Sequence, residues 1–224
     1  MVPERSLTGA RLRTPKAAAV AGIIFSFLLI IIFWLMRSAL PADPLEPGAW
    51  LDKSSRTITT ALNLIPFAGI AFIWFLGSLR DRLGALEDQF FATVFFGSGL
   101  LFLAMLFAAA AILGATVLVS AAQPHEITST TLFARAVTFN IMNVYAIKMG
   151  AVFMISTSTV VIFTGIAPRW IAVLGYGLAL VLLLGSYFIT WSFFVLPLWV
   201  LLISGYILID NFRGPAQATP HSER

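Results

Sequence analysis

The chain has 224 residues, 59% of them hydrophobic and 11% charged, with no cysteine, a formal net charge of +4 and a mean hydropathy of +0.94. Its apolar residues gather into runs of about 20, the length an α-helix needs to cross ~30 Å of hydrocarbon. Backbone amides in lipid must bond internally, so this composition excludes a water-soluble globular domain, and the alternating pattern of an outer-membrane barrel is missing.

Arg5, Arg11, Arg13 and Lys16 form a basic tail, residues 1–16, before the first apolar run. That arrangement orients a membrane helix and meets anionic lipid headgroups. The first span runs from Ala17 to Leu40; its apolar stretch is too long for a signal-peptide core and no small-x-small cleavage site follows it. The prolines of the loop 41–48 stop that helix. Ser54, Ser55 or Thr57 caps a second span that reaches Leu79 and contains Asn63 and Pro66, with a kink expected at the proline. A charged turn, residues 80–88, leads to a third span from Phe90 to Val119, long enough to tilt or protrude.

After a polar segment from Gln123 to Thr131, the fourth span covers Ala136 to Phe163. The last apolar stretch, Trp170 to Ile209, would make a helix of ~60 Å, about twice a bilayer. It therefore splits near Ser186 to Ser192, where Tyr187, Thr190 and Trp191 suit an interface and Pro197 falls in the opening turn of the next helix. The expected fold is all-α, a polytopic transmembrane helix bundle of six spans in a single membrane domain, residues 17–209, followed by a disordered C-terminal tail, residues 210–224. Five spans with a re-entrant piece is the alternative.

Six spans place both termini on one side. Arg5, Arg11, Arg13, Lys16, Arg80, Arg82, Arg169, Arg213 and Arg224 then share the side of the termini, and Arg37, Lys53, Arg56 and Arg135 lie opposite. That bias places the termini in the cytoplasm. The sequence pI near 9.9 does not point to nucleic acid, because the cations sit at helix ends and not on an aromatic-interleaved stripe.

Lys148 is the charged residue set deepest in an apolar run. A charge at bilayer depth is costly by at least ~2.5 kcal/mol, which invites a functional explanation. It lies about 18 Å along the axis from Ala136, too far to snorkel, so it is expected inside the protein or beside water. On a 100°-per-residue wheel, Arg135, Thr138, Asn140, Asn143 and Lys148 scatter and form no single polar face, which favours a continuous span over an interfacial helix. No carboxylate lies mid-span, so Lys148 is expected to be held by polar neighbours that tie helices together, among Asn140, Asn143, Asn63, Tyr145, Ser156, Thr159 and the carbonyls near Pro66; the alternative makes Lys148, Asn140, Asn143, Asn63 and Tyr145 a polar pathway or ligand site.

Absence of cysteine removes disulfides, thiolate metal sites and thiol nucleophiles. His125 and His221 are too far apart to pair locally, so no metal site, other cofactor or catalytic residue is expected. Small residues at helix-packing spacing, Ala18-Gly22-Ser26, Ala110-Gly114 and Ala146-Gly150, let backbones approach closely, within the chain or between copies.

The segment Gly77-Ser-Leu79-Arg80-Asp81-Arg82-Leu83-Gly84 resembles the cytoplasmic-turn signature of the major facilitator superfamily, and that resemblance implies a gating hinge at Arg80, Asp81 and Arg82. Ala85 departs from the usual basic residue there, and the chain has half the twelve spans. On physical grounds the segment is a charged turn obeying the positive-inside rule, with Asp81 placed to pair with its arginines. The Pro168-Arg169-Trp170 opening of a late helix is similar to that of uncharacterised bacterial multi-span inner-membrane proteins, which implies a bacterial inner-membrane location and no functional residues.

The sequence thus reads as a non-enzymatic membrane component that assembles with or modulates other membrane constituents. The alternative is a small-solute or ion translocator centred on Lys148. The partners expected are the bilayer's anionic headgroups at the cytoplasmic face and a second copy or another membrane protein, with no nucleic acid.

Overall fold

The computed structural model describes residues 14–46, 49–83, 89–122, 129–185 and 191–213, and every regular element among them is helical. Helix α1 spans Thr14–Ala39 and α2 spans Ala49–Leu83, which starts upstream of the expected caps and leaves Ser54, Ser55 and Thr57 inside the helix. The reason is packing: Trp50 and Leu51 are buried in a small cluster with Ala39, Ile58 and Leu113, and burying two large side chains outweighs a capping hydroxyl. Helix α2 runs through Pro66, whose missing amide leaves the carbonyl of Leu62 without its helical donor.

Helix α3, Gln89–Ala122, has 34 residues, and its hydroxyls turn inward onto the backbone, Ser98 Oγ donating to Val94 O at 2.6 Å and Thr116 Oγ1 to Ile112 O at 2.9 Å. Next come α4 (Ser129–Asn140), a π-helical segment (Ile141–Ala146) and α5 (Ile147–Thr164), which together form one 36-residue rod. The continuous reading of the fourth span holds, although the rod starts at Ser129, upstream of Ala136. The π segment coincides with polar side chains that bond to the rod's own backbone. Thr138 Oγ1 donates to Ala134 O at 2.9 Å, Asn140 Nδ2 to Ala136 O at 3.2 Å and Asn143 Nδ2 to Phe139 O at 2.9 Å. Each bond reaches a carbonyl one turn back, and beside them Ile147 N–H donates to Met142 O, the i→i−5 bond of a π turn.

The rod stops at Gly165, which takes φ 64° and donates its amide to Val161 O at 3.0 Å, a left-handed cap that only glycine adopts without strain. Helix α6 is Arg169–Gly185, with 17 residues; a 3₁₀ turn at Ser192–Phe194 opens α7, Val195–Arg213. The last apolar stretch is divided into two helices, the expected turn residues 186–190, with Tyr187 and Thr190, lie outside the described residues, and α7 continues beyond Ile209 to Arg213. Five of the described helices are long and apolar enough to cross a membrane, and α6 is shorter.

Helix α1 packs on α2 and α7, α3 on α2 and α5, and α5 on α6. Lipid supplies no hydrophobic drive between helices, so close packing carries the association. At the centre, the Phe72 ring lies 4.5 Å from Phe25, 5.7 Å from Phe102 and 5.3 Å from Phe153, joining four helices. Of the expected small-residue series, Gly22 serves such a seam, since a Cβ there would strike Ser204 and Phe75; Gly175, outside those series, serves another, where a Cβ would strike Ser158 and Trp199. Around the perimeter, Trp34, Phe67, Trp74, Phe163 and Leu184 are each more than half exposed, the apolar exterior that suits a bilayer.

Side-chain contacts identify the two ends of the bundle. Arg135 Nη2 donates to Pro41 O, and the Arg37 guanidinium lies 5.3 Å from the Trp191 ring centre, so the α1–α2 loop, α4 and the segment before α7 share one end. Arg80 over Phe96 at 5.5 Å, and Phe91 beside Phe163 at 6.4 Å, mark the other.

Candidate functional site

Arg135 anchors the most elaborate polar arrangement among the described residues. It is 6% exposed, and Nη2 donates to Pro41 O at 2.7 Å and to Asp43 O at 3.2 Å. Its guanidinium carbon sits 4.4 Å from the Trp50 ring centre, and Nη1 has no hydrogen-bond partner. The acceptor loop is itself fixed: Leu45 N–H donates to Asp43 Oδ1 at 2.8 Å and Glu46 N–H to Asp43 O at 3.3 Å. A buried cation is costly when unpaired. The charges of Asp43 and Glu46 act on the guanidinium and offset part of that cost. Arg135 thus clamps the α1–α2 loop onto α4.

Below this clamp lies a cavity of about 330 Å³ between α1, α2, α3 and α4, within the size range of small-molecule sites. Arg37, Pro41, Ala42 and Arg135 line it at the loop end; Ile32, Ile65, Leu106 and Asn143 line it deeper, with Phe33, Phe193 and Phe194 alongside. From Arg135 to Asn143 is eight residues, so the cavity reaches ~12 Å into the bundle. Its polar lining is confined to Arg37, Arg135, Thr138 and Asn143, and no carboxylate side chain lines it. The Thr138 hydroxyl and the Asn143 amide each donate to their own rod. The result is an apolar slot with two arginines among the residues lining one end, suited to binding and lacking a nucleophile beside a base. No cluster of three or more metal-ligating side chains occurs among the described residues.

Of the expected polar group, only Asn143 lines this cavity. Lys148 is exposed on the outer surface of the bundle, not buried among its helices, and Asn140, Tyr145 and Asn63 are exposed as well. The π segment explains the difference for the fourth rod: an i→i−5 ladder turns each residue through less than the ~100° of an α-helix, so depth along the rod no longer fixes the face. The charged segment after the second span also differs from expectation. Arg80, Asp81 and Arg82 belong to the last turns of α2, so the stretch resembling the transporter signature is helical as far as Leu83, and Gly84 lies outside the described residues. The side chains of Asp81 and Arg82 also lie outside them.

The sequence shows Arg135 as one cation of the charge bias and one member of a scattered polar set, and shows neither its contact with Trp50 nor the cavity. The available signal was that Arg135 is the lone cation between Arg82 and Lys148, inside a helix-forming run. A partner in the Pro41–Asp43 loop, more than 90 residues away, is not readable from local pattern. Searches of protein-family models, curated proteins and solved structures return no match to the chain. Function therefore rests on the chemistry of the site.

Proposed function

We propose that this chain is a non-enzymatic protein of the bacterial inner membrane, with six spans and cytoplasmic termini, that holds an anionic amphiphile in the cavity at its non-cytoplasmic end. The cavity carries this reading: about 330 Å³ of apolar space with Arg37 and Arg135 at one end and no lining carboxylate complements a negative head on an apolar tail. Such an occupant enters sideways from the bilayer and is itself a membrane constituent.

Six crossings are supported by the contacts of Trp191 with Arg37 and of Phe33 with Phe193 at 5.3 Å, which set the start of α7 near the end of α1. Gly22 faces Ser204 further along, as antiparallel helices require. Helix α6, with 17 residues, then sits at the short limit for a crossing. The excess of cations on the side of the termini supports the orientation. The translocator reading loses ground because Lys148, Asn140, Tyr145 and Asn63 occupy the perimeter and do not converge on a midplane cavity.

Single cysteines in this cysteine-free chain distinguish the two. A cysteine at 143 should react with a membrane-impermeant thiol reagent from the non-cytoplasmic side and be protected by dodecanoate, while cysteines at 140, 145, 148 and 152 stay unreactive. Reactivity across 140 to 152 that repeats with helical period and is blocked by a solute overturns the binding-site reading in favour of translocation.

A further inference from the structure

Asn140, Tyr145 and Lys148 are exposed, whereas residues 141–144, 146 and 147 between them are partly or fully buried. In an α-helix, Asn140 and Tyr145 would point ~140° apart. Across the π segment, residues five apart sit nearly above one another, and Tyr145 and Lys148, three apart, share a face of the turn that follows. The π segment therefore gathers a polar stripe on the outer face of the rod, with Tyr145 57% exposed.

The stripe is far from either end. Lys148 lies 13 residues from Arg135 and 16 from Thr164, or ~20 Å and ~24 Å along the rod, beyond the reach of a snorkelling lysine. An ammonium group facing hydrocarbon is unfavourable without a counter-charge. The described helices do not provide one: their acidic residues, Asp52, Asp81 and Asp210, each lie in a terminal turn. A second copy would bring another cation to the same depth. The complement must come from a different chain.

We infer that the Asn140–Tyr145–Lys148 stripe docks a transmembrane helix of another membrane protein that carries an aspartate or glutamate at mid-depth. The carboxylate accepts from the Lys148 ammonium, and the Asn140 amide and Tyr145 hydroxyl hydrogen-bond along the same face. This inference is independent of the cavity, which lies on the inner side of the rod.

The test uses the full chain in phospholipid vesicles, labelled at a cysteine introduced at Ala218, with a leucine-rich peptide of about 21 residues bearing one central aspartate as probe. Energy transfer should show the aspartate peptide binding about tenfold more tightly than its all-leucine counterpart, as one strong interhelical polar contact allows. Lys148→Leu should erase that preference, Lys148→Arg should retain it, and Lys148→Asp should transfer it to a peptide with central lysine; circular dichroism confirms that each variant is folded. Equal binding of the aspartate and leucine peptides, or a preference that survives Lys148→Leu, overturns the proposal. Self-association of the chain that depends on Lys148 overturns it too, by making a second copy the occupant.

Discussion

Replacing Arg135 tests whether the clamp holds the cavity end together. Methionine at this position removes the bonds to Pro41 O at 2.7 Å and Asp43 O at 3.2 Å and the 4.4 Å stacking on Trp50. Hydrogen bonds from a charged donor contribute ~1.5–3 kcal/mol, and a desolvated cation–π contact about 2 kcal/mol. Against these, methionine no longer buries a guanidinium whose Nη1 lacks a partner, which returns ~1–3 kcal/mol. With two such bonds lost, the net loss should be ~2–7 kcal/mol. Arg135→Lys should be at least as damaging, because an ammonium keeps the cost of burial without the planar fork that bonds two carbonyls while lying on an indole. Equilibrium unfolding in mixed micelles, followed by circular dichroism, measures both variants, and a double-mutant cycle with Trp50→Leu isolates the stacking, with an expected coupling of about 1–2 kcal/mol. Stability of Arg135→Lys within ~0.5 kcal/mol of the parent, together with zero coupling, would refute the clamp.

Two glycines two residues apart provide a packing test: Gly175→Ala should destabilise by about 1–3 kcal/mol, since its Cβ meets Ser158 and Trp199, whereas Gly177→Ala, with nothing within 4 Å, should be neutral or slightly stabilising. Equal melting temperatures for the two variants would contradict the seam between α5, α6 and α7. Cysteines at Ser186 and Thr190 should label from the side opposite the termini; labelling from the same side as the termini would exclude six spans. Gly22→Ala should be destabilising in the thermal melt, and Ser204→Gly in the same chain should restore part of the loss, because the Ser204 hydroxyl obstructs the new methyl group.

The helical architecture was legible because hydrophobic run length is a direct consequence of bilayer thickness. The break after Gly185 was legible for the same reason: a run of ~60 Å has no place in one bilayer. Helix starts were less so. Ser54, Ser55 and Thr57 carry real capping chemistry, yet the start of α2 is set by Trp50 and Leu51 finding burial against Leu113, a contact formed only after folding. Lys148 shows how a depth argument stops short. Its distance along the helix was readable, but its face lies beyond a π segment, residues 141–146, that changes the turn angle. Sequence periodicity assumes a constant turn angle and misses such a change. Arg135 shows the converse: the residue type was visible, and its partners, in the Pro41–Asp43 loop, were not.

The central claim is that the cavity beside Arg135 receives an anionic amphiphile. Equilibrium binding of radiolabelled dodecanoate to the purified protein in lipid nanodiscs tests it directly, with dodecylammonium as the charge control and Ala110→Phe, which fills the cavity wall, as the steric control. The account predicts one saturable site for dodecanoate, competition by unlabelled dodecanoate and none by dodecylammonium, and at least about a tenfold loss of affinity in Ala110→Phe. Binding that is non-saturable, indifferent to head-group charge, or unchanged by Ala110→Phe would contradict it.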